Sequence, residues 1–275
     1  MGRLKIDIDP ALLRKMYVDE KLSPLRIGNK LGCSFSTISN RLREYYIPLR
    51  SPAEARLRYK KEPFSGDLAE RAYLLGFAIG DLNVYLPSVN SVTLVARCHT
   101  TQKVQVDLLR ESFACYGKVT LSKGAKSMHI NIYLDAVSFK FLLEKELGDV
   151  PGWVRREGRW SFIAGYSDAE GNFIINQGRA RFKLDSYDKH VLFWIKELLD
   201  CSKIRCQLRL IARRGQLQRD GMKFNHDLWR LNVNEARSLE KIIDLVMPYA
   251  RHKKRIKDMK KCESNIRARA QRGTI

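Results

Sequence analysis

Leu74-Leu75-Gly76-Phe77-Ala78-Ile79-Gly80-Asp81-Leu82, and further along Ile163-Ala164-Gly165-Tyr166-Ser167-Asp168-Ala169-Glu170-Gly171, decide how this chain is read. Both are runs of apolar and small residues. Each places two small residues four apart: Gly76 with Gly80, and Gly165 with Ala169. Positions i and i+4 share one helix face, so two such helices can bring their backbones close together. An acid follows at once in each copy, Asp81 and Glu170. Helices crossing at the small-residue faces would bring both carboxylates to one end of the crossing. Apposed carboxylates repel and bury poorly, a cost that divalent cations between them would offset. Oxygen ligands suit Mg²⁺, and phosphodiester cleavage uses such ions to activate water and stabilise the leaving oxygen.

Outward from these two stretches the pattern repeats, which is the first thing to establish about a fold. The first half predicts a helix at 73–82, strands at 84–86 and 91–98, and a helix at 104–116. Strands at 119–122 and 128–134 and a helix at 136–147 complete it. The second half predicts a helix at 161–171, strands at 173–175 and 180–185, and a helix at 189–199. Strands at 204–211 and 228–233 and a helix at 234–247 follow. Each half is αββαββα, so the expected class is α+β, two similar halves about a pseudo-two-fold axis. The expected bounds are 67–150 and 151–250, with a basic tail at 251–275 that binds phosphate as a helix extension and loses order after Ser264.

The two nonapeptides resemble the LAGLIDADG motif of homing endonucleases, and the resemblance spans roughly 73–247. The first copy departs from the pattern at Leu82, where Gly is usual. In that family the motif helices form the interface between halves and their final acids bind Mg²⁺. The strands form two saddle-shaped sheets over the DNA major groove, and cleavage occurs across the minor groove. The resemblance therefore implies catalysis and metal binding by Asp81 and Glu170, with two or more Mg²⁺ ions and help from the backbone carbonyls of Gly80 and Ala169. It also implies a Lys or Gln beside the metals: Gln102 or Lys103 in the first half, Lys183 or Lys189 in the second. The segment Asp185-Ser186-Tyr187-Asp188 offers no lysine there.

Ahead of the repeats, residues 10–46 predict three short helices. Leu12, Leu13, Met16 and Tyr17 form an apolar stripe. Ser23-Pro24 opens the second helix and Gly32 closes it, as good capping residues do. Ser34 opens a third helix with Phe35, Ile38 and Leu42 inward. This is a helix-turn-helix over 1–51, joined by a charged linker at 52–66. Ser36, Thr37, Ser39, Asn40, Arg41 and Arg43 are expected to face a major groove; the plainer alternative is a small helical bundle with a polar face.

Charge supports a polyanionic partner. The 275 residues carry 51 Lys and Arg against 30 Asp and Glu, a net +21. Double-stranded DNA is the expected partner, with Arg97, Lys126, Arg179, Arg181, Lys183, Arg205, Arg209, Arg213 and Arg214 as candidate contacts. Arg205 and Arg209 are expected to share a strand face, and Arg213 and Arg214 a hairpin tip. No basic amphipathic helix with an aromatic face speaks for a membrane surface, and no apolar run reaches the ~20 residues of a bilayer span. The charged start is no signal peptide, so the expected compartment is cytoplasmic, or organellar or nucleoid, wherever the target DNA is. Six cysteines with no CxxC pair read as reduced thiols.

Both acids lie in one chain, so a monomer suffices for a site-specific, Mg²⁺-dependent DNA endonuclease. A non-cutting transcriptional regulator on the same fold, or a maturase binding intron RNA, are the alternatives. An intein would need a His-Asn terminus.

Overall fold

The computed structural model describes residues 7–50, 59–147, 149–218 and 221–274. The chain divides into two compact units, Met1–Arg58 and Tyr59–Ile275.

In the first unit, α1 (Pro10–Arg14) runs on into a π-helical turn, Lys15–Asp19. Helix α2 is Pro24–Leu31 and α3 is Phe35–Glu44. Their ends are set by short side chains. The Ser23 hydroxyl accepts from the Arg26 amide at 3.2 Å, and that of Ser34 from the Thr37 amide at 3.1 Å. Gly32 ends α2 at φ 69°, a left-handed conformation that glycine adopts without a Cβ penalty. Leu13, Met16, Tyr17, Ile27, Ile38 and Leu42 close a core of their own. Leu12 and Phe35, expected inside, are 42% and 53% exposed. Phe35 opens α3, and the inward face begins only with Ile38.

The second unit opens before the first repeat. Residues 59–66, expected as linker, belong to the body: Lys61 donates to the Val92 carbonyl, the Glu62 amide to the Tyr116 carbonyl, and the Phe64 amide to Ser138. The Phe64 ring packs against Tyr116, Phe139 and Phe141. The linker at 52–58 falls outside the described residues.

The first half is α4 (Leu68–Asp81), β1 (Asn83–Tyr85), β2 (Thr93–Thr100), α5 (Lys103–Phe113), β3 (Lys118–Lys123) and β4 (Met128–Asp135). A 3₁₀ helix, Lys140–Leu147, stands in place of the expected α-helix. The second half is α6 (Arg159–Glu170), β5 (Gly171–Asn176), β6 (Arg179–Ser186), α7 (Lys189–Cys201), β7 (Gln207–Ala212), β8 (Leu228–Val233) and α8 (Ala236–Val246). Both sheets are antiparallel and four-stranded with matching order, β1-β2-β4-β3 and β5-β6-β8-β7. Two sheets with one connectivity are the pseudo-symmetric repeat that the sequence predicts. In each, alternate residues enter the core, as Ala180, Phe182 and Leu184 do from β6.

The tail departs from expectation. Residues 253–271 form one continuous helix, α9 (Lys253–Gln271), well past Ser264. It buries Met259, Cys262 and Ile266 in the body core, worth roughly 1.5–3 kcal/mol for each large apolar side chain. Asn265 also clamps the β5–β6 turn, accepting from the Ala180 amide and donating to the Gly178 carbonyl.

All six cysteines are free thiols. Among the described residues, no helix is long and apolar enough to cross a membrane.

Candidate functional site

The site is built on the crossing of α4 and α6, the most extensive helix–helix contact in the body. Glycine makes that approach possible. A β-carbon on Gly76 would stand 2.2 Å from the Phe162 carbonyl oxygen, and one on Gly165 would stand 2.0 Å from that of Tyr73. At the far end, a β-carbon on Gly80 would meet Ala169 Cβ at 2.5 Å and Glu170 Cγ at 3.1 Å. The helices thus approach closely at Gly76, Gly80, Gly165 and Ala169. Asp81 and Glu170 are their last residues, beyond which Leu82 and Gly171 turn extended. Leu82 is itself buried at 2% exposure, a core residue leading into β1.

The two carboxyls sit in surroundings hostile to negative charge. Burial pushes Asp81 up to about 6, against a hydrogen bond from Gln105 and the positive charge of Arg255. Burial pushes Glu170 up to about 7, with the charges of Asp81 and Asp188 adding to it and Arg255 opposing. Paired, half-buried acids with raised pKa values are groups whose charge a divalent cation would stabilise. Among the described residues no group of three His, Cys, Asp or Glu is placed to enclose a metal. Two carboxylates fit a hard divalent ion as an open site, completed by water or by the oxygens of a substrate.

Two residues at this centre escaped the sequence reading. Gln105, one turn into α5, donates its amide to Asp81 Oδ2 at 2.6 Å and accepts from Thr100 Oγ1 at 2.7 Å. It takes the place expected of Gln102 or Lys103. Gln102 precedes α5 and is engaged through its backbone, the amide donating to Thr100 and the carbonyl accepting from the Gln105 and Val106 amides, while its side chain and Lys103 are exposed. The second is Arg255 of α9, on which Asp168, Asp81 and Glu170 all act.

In the second half Lys183 lies on β6 opposite Asn172 and Asn232, on the face turned away from the core. Lys189, at the start of α7, is exposed, and its ammonium sits over the rings of Phe193 and Trp229, at 5.4 and 5.3 Å, a cation–π contact at the surface.

Asp168 anchors the centre from behind. At 3% exposure it accepts from the Tyr73 hydroxyl at 2.7 Å and from the Arg251 and His252 amides at 2.8 and 2.9 Å. One carboxylate oxygen therefore ties both motif helices to the start of α9.

The candidate nucleic-acid contacts sort by exposure. Arg179, Arg209, Arg213 and Arg214 are exposed, and Arg181 and Lys183 half-exposed on the outer face of β6. Arg97 is exposed, with its guanidinium over Tyr85 and bonded to Asn131, and Lys126 is exposed in the β3–β4 turn. Arg205 precedes β7 and shares no strand face with Arg209. On α3, Ser36, Asn40 and Arg43 are exposed, while Thr37 and Ser39 are half-buried. Arg41 is corrected: it is 8% exposed, paired with Glu44 at 2.5 Å. It follows Ile38 by three residues, which puts it on the core side of the helix. On α9, Lys253, Lys257, Lys260 and Lys261 line a groove of 710 Å³ floored by Ile175 and Ile256.

No protein-family model matches the sequence, and no curated protein matches it significantly. Solved structures do match. The chain is similar to solved homing endonucleases. I-DmoI, in complex with DNA and Ca, is 17% identical over 65% of this chain and 88% of its own, with a TM-score of 0.45. I-WcaI, bound to its DNA recognition sequence, is 13% identical over 68% and 85%, with a TM-score of 0.47. The LAGLIDADG meganuclease I-AabMI, bound to uncleaved DNA, is 12% identical over 74% and 92%, with a TM-score of 0.44. At these identities and scores the likeness bears on neither chemistry nor target.

Proposed function

We propose that this chain is a site-specific double-stranded DNA endonuclease of the homing type, acting as a monomer with Mg²⁺ held between Asp81 and Glu170. One observation carries the proposal: two half-buried carboxyls, both raised in pKa, end two glycine-packed helices at one crossing. Mg²⁺ bound there would activate water and stabilise the leaving oxygen of a phosphodiester. The carbonyls of Gly80 and Ala169 lie beside the acids in sequence, at helix ends where carbonyls lack intrahelical partners. Gln105 orients Asp81 and keeps it more acidic than burial alone would leave it. The outer faces of the sheets and the lysine groove of α9 supply the phosphate contacts, and α3 of the first unit reads bases through Ser36, Asn40 and Arg43.

A non-cutting regulator is the second proposal, favoured by the absence, among the described residues, of a lysine in contact with either acid, Lys189 being held elsewhere. Cleavage of a randomised duplex library with Mg²⁺ separates the two, beside an Asp81→Asn/Glu170→Gln double variant. Cuts at a shared sequence by the parent alone support the endonuclease. Retention of shared sequences without cuts leaves the regulator, and preference for structured RNA over duplex leaves a maturase.

A further inference from the structure

Arg255 is a cation in an uncommon position. Its Nε is buried without a hydrogen-bond partner, and its side chain makes no ion pair within 4.0 Å among the described residues. Its position is nonetheless fixed. The Arg251 and His252 amides hold the start of α9 on Asp168, two residues before Glu170, and the Arg255 amide donates to His252 Nδ1 at 3.4 Å. The negative charges of Asp168, Asp258, Asp81 and Glu170 all act on the guanidinium, that of Asp258 from its own helix and the others from α4 and α6. Asp258 is already engaged by Lys254 and Lys261.

A buried guanidinium Nε left without a partner is costly. The cost is recovered if an anion absent from the free protein fills it, and a phosphate matches the planar fork of donors to which Nε belongs. The same positive charge opposes a second cation at the acids.

Building on the endonuclease proposal, we propose that Arg255 is a positioning residue that couples metal loading to DNA. In the free protein its charge stands beside Asp81 and Glu170 and weakens divalent binding. In the complex a backbone phosphate takes the guanidinium, and the two carboxylates are left to the metal.

The test is Mn²⁺ binding by the full chain, followed through the electron-paramagnetic-resonance signal of free Mn²⁺. It is run with and without a duplex that the protein retains from the random library. Wild type is expected to bind Mn²⁺ more tightly with the duplex. Arg255→Gln is expected to bind it about three- to tenfold more tightly than wild type without DNA, from loss of one nearby positive charge, and to gain less from the duplex. Arg255→Lys, which keeps the charge, should stay near wild type without DNA. Equal affinity of wild type with and without the duplex overturns the proposal and requires no variant. Equal affinity of Arg255→Gln and wild type without DNA overturns it as well. Mn²⁺ binding that survives Asp81→Asn/Glu170→Gln instead sinks the underlying assignment of the acids as ligands.

Discussion

The Tyr73 hydroxyl donates to Asp168 Oδ2 at 2.7 Å, joining the two motif helices through a side chain that is 2% exposed and one that is 3% exposed. The same oxygen accepts from the Arg251 and His252 amides just ahead of α9, so it ties the two motif helices to the entry of a third. Tyr73→Phe removes one donor from a buried carboxyl whose other oxygen already lacks a partner. The expected loss is about 1–3 kcal/mol, read as a lower urea midpoint at unchanged slope. An unchanged midpoint would show that the bond is not made.

The glycine crossing predicts a sharp contrast. Gly165→Ala drives a methyl to 2.0 Å from a backbone carbonyl, which cannot rotate away. Overpacking of this kind costs about 1–3 kcal/mol or more. Gly152→Ala, whose β-carbon would find only an Arg156 side-chain nitrogen at 3.9 Å, should leave the melting temperature within a degree or so. Equal melting temperatures for the two variants would refute the close approach.

Protons and cations compete for the two acids. With Asp81 pushed up to about 6 and Glu170 to about 7, both are raised above their unfolded values. Their contribution to stability is therefore full below the unfolded carboxyl range and is lost as pH rises through about 7. Asp81→Asn/Glu170→Gln should stabilise the metal-free protein near pH 8, on the order of 2–4 kcal/mol, because each tenfold change in proton affinity is worth about 1.4 kcal/mol. The gain should fade toward pH 4 in thermal melts. A gain that does not vary with pH would have another cause.

Gln105 tunes the acid it touches. Gln105→Leu removes the hydrogen bond that holds Asp81 down, so its pKa should rise. The acid limb of the pH profile for metal binding should move upward with it. A profile that stays in place would assign Gln105 to packing.

Exposure separates two arginines on α3. Arg43→Ala should weaken duplex binding and flatten its salt dependence by about one unit of slope. Arg41→Ala should instead lower the stability of the first unit through loss of the Glu44 pair and of a buried stem. Fluorescence anisotropy at several salt concentrations, alongside melts, distinguishes them; a reversal would place Arg41 on the groove.

Much of the fold is legible in the sequence because it rests on local rules. Ser23, Ser34 and Gly32 mark helix ends by short-range chemistry, and the paired motifs carry their own contact face. Arg41 is the counterexample: its spacing from Ile38 and Leu42 puts it on the inner side, yet its residue type points to the groove. Helix α9 carries Met259, Cys262 and Ile266 at helical spacing, but the ten basic residues of the segment 251–275 dominate its composition. Gln105 and Arg255 could not be found from spacing alone. Their roles arise where α5 and α9 meet the motif helices, and no sequence period records that meeting.

Asp168 also sets an order of events in time. Its partners lie 95 residues before it, at Tyr73, and 83 and 84 residues after it, at Arg251 and His252. Contacts of such sequence separation form late, after most loop-closure entropy has been overcome. During synthesis the motif helices therefore remain without their buried anchor until residue 252 has cleared the ribosome, and the two acids acquire their final setting only in the last stage of folding.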